Sequence, residues 1–167
     1  MNHYFCENFF MRIILVCFAG SILFFASCVK RGNGCSSQID STKAPAAEQV
    51  RLRAYLDSAG IIATMDPRGF WYNIINGGEG VTPASCSQVS VVYTGKLTDG
   101  TVFEQQTSFV TVLDRLIDGW QEGIPLIKKG GQINLYLPPS LGYGANGNAV
   151  VPPNAILFFD ISLIDVQ

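Results

Sequence analysis

Histidine is almost missing from this chain: His3 is the only one, and it precedes an apolar stretch read below as a removed signal. Without it the mature chain has no Ser-His or Cys-His pair and no imidazole metal ligand. The remaining carboxylates show no ligand-like clustering, so neither a metal nor any other cofactor is expected, and the chemistry should not rest on imidazole. There is also no basic run downstream of the N-terminus. With 11 basic and 13 acidic residues and a formal charge of −2, the chain lacks the positive footprint that neutralising phosphates requires, which excludes nucleic acid as a partner. No internal repeat is present. Of five cysteines, Cys6 and Cys17 fall in the apolar leader and Cys28 at its end. Cys35 and Cys86 remain, one in a polar tether and one in a turn-like stretch, so a conditional or absent disulfide is expected. What is present is 48% apolar residue in 167, enough for one domain with a proper core and some extra sequence.

Much of that apolar content sits at the front. Arg12 is followed by an uninterrupted apolar and small stretch from Ile13 to Ala26. That is a positive start, a short hydrophobic region and small residues before a break, the organisation of a secretory signal peptide, and it is short of the ~20 residues a bilayer span takes. Met11 makes a better start for it than Met1. Phe25-Ala26-Ser27-Cys28 resembles the bacterial lipobox, with Phe25 where an aliphatic residue is usual. The resemblance implies lipidation at Cys28, and several acyl chains would anchor the protein stably. An ordinary secretory signal with a chance cysteine is the alternative. Lys30 and Arg31 follow, unlike the acidic signal of surface-displayed lipoproteins, so the expected location is a bacterial membrane, facing the periplasm. The organisation expected is a signal over 1–27, a lipidated N-terminus and flexible tether over 28–47, a helical lead-in over 48–68 and a folded domain over 69–167.

Within the folded part, Ala46 to Ala59 reads as a short helix with Val50, Ala54 and Leu56 near one face and Gly60 as a stop. Gly69 to Asn76 is aromatic and β-branched and reads as a strand, as does Val89 to Leu97. Asp99-Gly100 is a hairpin signal, with Thr101 to Phe103 continuing after it. Phe109 to Leu113, Gln132 to Leu137 and Ile156 to Val166 read as further strands, the last apolar enough for the sheet centre. Trp120 and Ile124 fall at helical spacing, and a short helix is expected from Asp118 to Ile124 before Pro125. The fold class expected is α+β, an antiparallel, strongly twisted sheet of five to six strands wrapped around a short helix.

Gly142-Tyr143-Gly144-Ala145-Asn146-Gly147 matches a dinucleotide-binding glycine pattern, but that pattern must open a helix and here Pro152-Pro153 follows. A glycine-rich loop carrying an aromatic residue over a pocket fits better. Several other segments occur in a telling order: Val91-Val92-Tyr93-Thr94-Gly95, Asp99-Gly100-Thr101-Val102-Phe103, Leu116-Ile117-Asp118-Gly119-Trp120, Lys129-Gly130-Gly131, Leu135-Tyr136-Leu137-Pro138, and Val151-Pro152-Pro153 running into Phe158-Phe159-Asp160. Together, from about Gly69 to Val166, they resemble the FKBP-type peptidyl-prolyl cis/trans isomerases. The helix and strand ahead of them resemble the lead-in of short bacterial lipoprotein members. The few dozen residues there cannot supply the N-terminal dimerisation domain of larger members, so a monomer is expected.

The resemblance implies a proline-binding pocket. Trp120 would form its floor, Tyr93, Phe103 and Phe159 its walls, and Leu116, Ile117 and Val151 its rim. The Ile117 backbone N–H would bind a substrate carbonyl, and Tyr143 would offer its hydroxyl. Partners implied are proline-containing polypeptide segments and macrolide inhibitors of the FKBP type. For each aromatic residue plain core packing is the competing role, and for Leu116 and Val151 the two stand nearly even. Two departures stand out. Glu104 replaces the family's aspartate, with no arginine following nearby to pair with it, and the loop before Pro152 is shorter, with Asn148 where some members have histidine. Phe109 matches a further wall position. The function implied is prolyl isomerisation assisting exported proteins; the alternative is a weakly active or inactive proline-binding chaperone or adaptor.

Overall fold

Val89, Val91 and Tyr93 alternate along one stretch and Leu157, Phe159, Ile161 and Leu163 along another, and each set is buried. That period of two places each set on one face of a strand. The computed structural model describes residues 42–167; the expected signal, Cys28 and the tether up to residue 41 lie outside the described residues. Helix α1 (Ala46–Ser58) is followed by strands β1 (Thr64–Met65), β2 (Trp71–Asn76), β3 (Gln88–Leu97) and β4 (Val102–Val112), helix α2 (Asp118–Gly123), and strands β5 (Gln132–Leu137) and β6 (Leu157–Val166). The strands form one antiparallel sheet in the order β1-β2-β5-β6-β3-β4. The fold is therefore α+β with six strands and a short helix, and β6 does lie in the sheet centre.

The sheet buries both faces. On one, Val91, Tyr93, Leu135, Leu137, Phe159 and Ile161 pack with Trp120 and Ile124 from and just after α2. On the other, Trp71 and Tyr136 pack with Leu52 and Leu56 of α1. Trp71 and Tyr136 are register partners on β2 and β5. Strand β5 thus serves both cores, Leu135 and Leu137 in one and Tyr136 in the other, which is why Leu135 to Leu137 is continuously buried while β3 and β6 alternate.

The structure differs from the sequence expectations in several places. Val50 is 70% exposed and Ala54 is also exposed, while Leu52 and Leu56 are buried; α1 meets the sheet through a narrow i, i+4 stripe. The stretches expected over 101–103 and 109–113 merge into one long strand, β4, which runs from Val102 to Val112, with Leu113 already in the 3-10 turn that follows. Its middle, Glu104 to Ser108, is polar because β4 is the sheet edge and pairs only with β3. β1 is too short to show periodicity. Helix α1 starts at Ala46, where its spacing placed it, but the packed structure reaches further forward: Ala44 is already buried, its N–H donating to the Arg68 carbonyl at 2.8 Å. Cys86 is disulfide-bonded, where a conditional or absent bridge was expected; it sits exposed in the turn closed by Ser87 N–H donating to the Ala84 carbonyl.

Candidate active site

Gly95 on β3 makes the site possible. A Cβ there would stand 2.6 Å from the Phe103 ring and 2.9 Å from that of Phe159, so only glycine leaves room for both rings over the strand. Phe159 is its register partner on β6 and Glu104 its partner on β4. Two residues back along β3, on the same face, is Tyr93. Helix α2 brings Trp120 down onto these rings. It comes close because Gly119 and Gly123 face β5, where added Cβ atoms would stand 2.5 Å from Leu137 and 2.6 Å from Leu135.

The rings then meet edge to face. Trp120 lies 4.8 Å from Tyr93 at 90° and 5.1 Å from Phe159 at 88°. Phe103 meets Phe159 at 5.6 Å and Tyr143 at 6.5 Å, and Tyr93 meets Phe109 at 5.9 Å. Each such pair contributes about 0.5–1.5 kcal/mol beyond its buried area, so the set is stiff. It surrounds a cavity of about 240 Å³ lined by Tyr93, Glu104, Phe109, Arg115, Leu116, Ile117, Trp120, Tyr143 and Phe159.

Loops complete the walls. After β4, a 3-10 turn over Leu113–Arg115 leads into Leu116 and Ile117. Gln121 of α2 ties this turn down, its Nε2 donating to the Leu116 carbonyl at 2.7 Å and to that of Asp114 at 3.3 Å. The Ile117 N–H donates no hydrogen bond among the described residues. The Tyr143 loop is pinned by Gly144 N–H donating to the Pro139 carbonyl at 2.8 Å, and by Asn148 Oδ1 accepting from the N–H groups of Val150 and Val151 at 2.9 and 2.7 Å. Helix α1 braces the same loop from outside. Arg51 donates to the Asn154 carbonyl at 2.7 Å, and Glu48 accepts from the Ser140 N–H at 2.9 Å.

Burial pushes the Tyr93 hydroxyl well above the ordinary tyrosine range, and its hydrogen bond to the Glu104 carboxylate adds to that. Tyr143 is raised too, first by burial and then by the Glu104 charge. Both hydroxyls therefore stay protonated at neutral pH and can donate. Burial leaves the Trp120 Nε1 without a partner in the described structure. Such a site can hold a small apolar ring against aromatic walls, with neutral donors at its edge. It offers no nucleophile paired with a base.

Of the residues singled out in the sequence, Tyr93, Glu104, Leu116, Ile117, Trp120, Tyr143 and Phe159 line this cavity. Phe103 and Val151 do not: Phe103 packs on Phe159 and Tyr143, and Val151 is 1% exposed within the core. Arg115 was missed. Its only sequence signal was its place directly before Leu116-Ile117. A cavity of about 350 Å³ on the other face, lined by residues including Tyr55, Lys96 and Phe158, gathers none of the candidates.

Comparison with known proteins points the same way. The family model for the FKBP-type peptidyl-prolyl cis-trans isomerase matches residues 80–164. A Haemophilus influenzae protein named "Probable FKBP-type peptidyl-prolyl cis-trans isomerase" is 45% identical over 106 residues, covering 59% of this chain and 43% of its own length. FkpA of Escherichia coli is 42% identical over 105 residues, 59% of this chain and 38% of its own; its crystal structure aligns with a TM-score of 0.67 at 34% identity, covering 73% of this chain and 60% of that one. A peptidyl-prolyl cis-trans isomerase structure from Pseudomonas syringae aligns with a TM-score of 0.65 at 29% identity, covering 75% of this chain and 98% of that one. The chain thus spans less than half the length of the two curated relatives. The matched segment holds every residue that lines the aromatic cavity, and the chain belongs to the FKBP-type peptidyl-prolyl cis-trans isomerase family.

Proposed function

We propose that this chain is a peptidyl-prolyl cis/trans isomerase that assists the folding of exported proteins. The observation that carries the reading is the box of edge-to-face rings on Trp120, with an uncommitted backbone donor, the Ile117 N–H, at its wall. Resonance gives the amide C–N bond a rotation barrier of about 18–20 kcal/mol, and uncatalysed X–Pro exchange takes roughly 10–100 s. The twisted transition state has lost that resonance and is less dipolar than the planar ground state. An apolar pocket that excludes water and holds the twisted amide therefore favours it without bond making or proton transfer. In this reading Trp120 carries the proline ring, Tyr93 and Phe159 wall it, and Phe103 backs the Phe159 and Tyr143 rings from outside the cavity. Leu116 shapes the rim, with Val151 packed in the core behind it, and the Ile117 N–H takes a substrate carbonyl. Tyr143 donates to the substrate backbone, and Glu104 orients Tyr93. Macrolides of the FKBP type would compete for the same box.

A signal over residues 1–27 and acyl chains on Cys28 would tether a monomeric domain to a bacterial membrane, facing the periplasm. Among the described residues no helix is long and apolar enough to cross a membrane. A second reading, a proline-binding chaperone or adaptor with little turnover, draws on one feature: Glu104 stands where the family has aspartate and makes no ion pair with Arg115.

The test is cis-to-trans relaxation of proline peptides and of a slow-folding protein, with Trp120→Ala and Phe103→Ala as controls. Acceleration of both substrates that falls in the controls supports the isomerase. Binding without acceleration by folded protein supports the adaptor. Palmitate labelling abolished by Cys28→Ala tests the anchor.

A further inference from the structure

Arg115 ends the 3-10 turn that enters the pocket wall, immediately before Leu116 and Ile117. Its side chain lines the same cavity as Trp120 and Glu104, and the residue is exposed. Among the described residues it makes no ion pair and no side-chain hydrogen bond. Its nearest acidic neighbours in sequence do not engage it. Asp114 turns a carboxylate oxygen into the interior, where it is buried without a partner, and Asp118, half-buried at the start of α2, makes no ion pair. Glu104, the other ionised group of the cavity, accepts the Tyr93 hydroxyl. The pocket therefore holds an acid already committed within it and a base left free at its mouth.

A guanidinium presents a planar fork of donors that matches a carboxylate and keeps its charge at every working pH. We infer that Arg115 is a specificity-determining residue, and that the pocket prefers polypeptide segments with an aspartate or glutamate beside the bound proline. The inference rests on the isomerase reading and adds to it the substrate class. A neighbouring lysine would meet a like charge at the mouth, and a neutral side chain would forgo the pair. Because Arg115 is exposed, the effect is modest and sensitive to salt.

The experiment measures kcat/KM for proline peptides with Glu, Gln or Lys before the proline, a second set with the same residues after it, and a Leu-Pro peptide as reference. In one of the two sets Glu should exceed its isostere Gln by about twofold to fivefold, with Lys below both. That ratio should fall towards one as salt rises from about 0.01 to 1 M. Arg115→Gln should level the Glu/Gln ratio, Arg115→Glu should invert it, and Arg115→Lys should keep part of it. Circular dichroism establishes that each variant is folded, and a merely structural role would not move a charge-selective ratio. Turnover of Leu-Pro with equal Glu and Gln rates in both sets overturns the inference and leaves the isomerase intact. No turnover of any peptide by folded protein overturns both.

Discussion

Tyr93 links the chemistry of the pocket to its charge. Its hydroxyl, raised first by burial and then by the bond to Glu104, is a donor that does not titrate in the working range, and Tyr143 behaves alike. If the reaction needs no proton transfer, kcat/KM should be flat from about pH 6 to 9, below the ordinary tyrosine pKa of ~10; a bell centred near neutrality would contradict this. A folded-state pKa above the unfolded one adds stability that is complete below the unfolded value and is lost as pH rises through the folded one. Denaturant melts of Tyr93→Phe should therefore lose less stability than wild type above about pH 10. The aromatic residues were legible in the sequence because each sits in an ordered motif. Arg115 was not, because an exposed residue one place before a motif carries no periodicity, and only the folded turn carries it to the cavity mouth.

At the scale of elements, close approach decides what the pocket can be. Gly95→Ala would drive a methyl into the Phe103 and Phe159 rings. It should cost about 1–3 kcal/mol by overpacking and lower kcat/KM more than a surface substitution of equal destabilisation, which thermal melts beside peptide kinetics can separate. A second device lies under α2. Arg68 donates to both carboxylate oxygens of Asp66 at 2.7 and 2.8 Å and also pairs with Glu122 of α2, so the turn before β2 clamps the helix that bears Trp120. Burial pushes the Asp66 carboxyl up, but its hydrogen bonds to Arg68 and the guanidinium charge outweigh this and hold it below its usual value. The contribution is present above the unfolded pKa of ~3.9 and is lost as pH falls through the lower folded value. Asp66→Asn should therefore flatten the acid limb of the stability profile, and equal acid limbs in the two proteins would contradict it. The helices and most strands were readable from spacing and turn residues. Strand β4 was not read whole: register irregularities fall between Val91 and Tyr93 and between Gly95 and Lys96. Such bulges disrupt alternation and protect an exposed edge.

Across the whole molecule, the segment ahead of the matched family region proves structural. Leu52, Leu56, Trp71 and Tyr136 form a second core on the back of the sheet, and Glu48 and Arg51 reach from α1 to the Tyr143 loop. Leu56→Ala should cost about 2–5 kcal/mol, read as a lower midpoint in a single urea transition; an unchanged midpoint would mean that α1 is not part of the cooperative unit. The sequence pattern placed a helix there and caught Leu56, but set it with the exposed Val50 and Ala54 and passed over Leu52, because two leucines among charged residues give a stripe too narrow to mark the packed side. Whether this pocket catalyses X–Pro rotation is decided by two-dimensional exchange NMR on a Leu-Pro peptide with a substoichiometric amount of the chain. A catalytic pocket gives cis–trans exchange cross-peaks at sub-second mixing times, where the uncatalysed peptide needs roughly 10–100 s, and loses them with Trp120→Ala. Peptide shifts that report binding, with no exchange cross-peaks from folded wild-type protein, would contradict it.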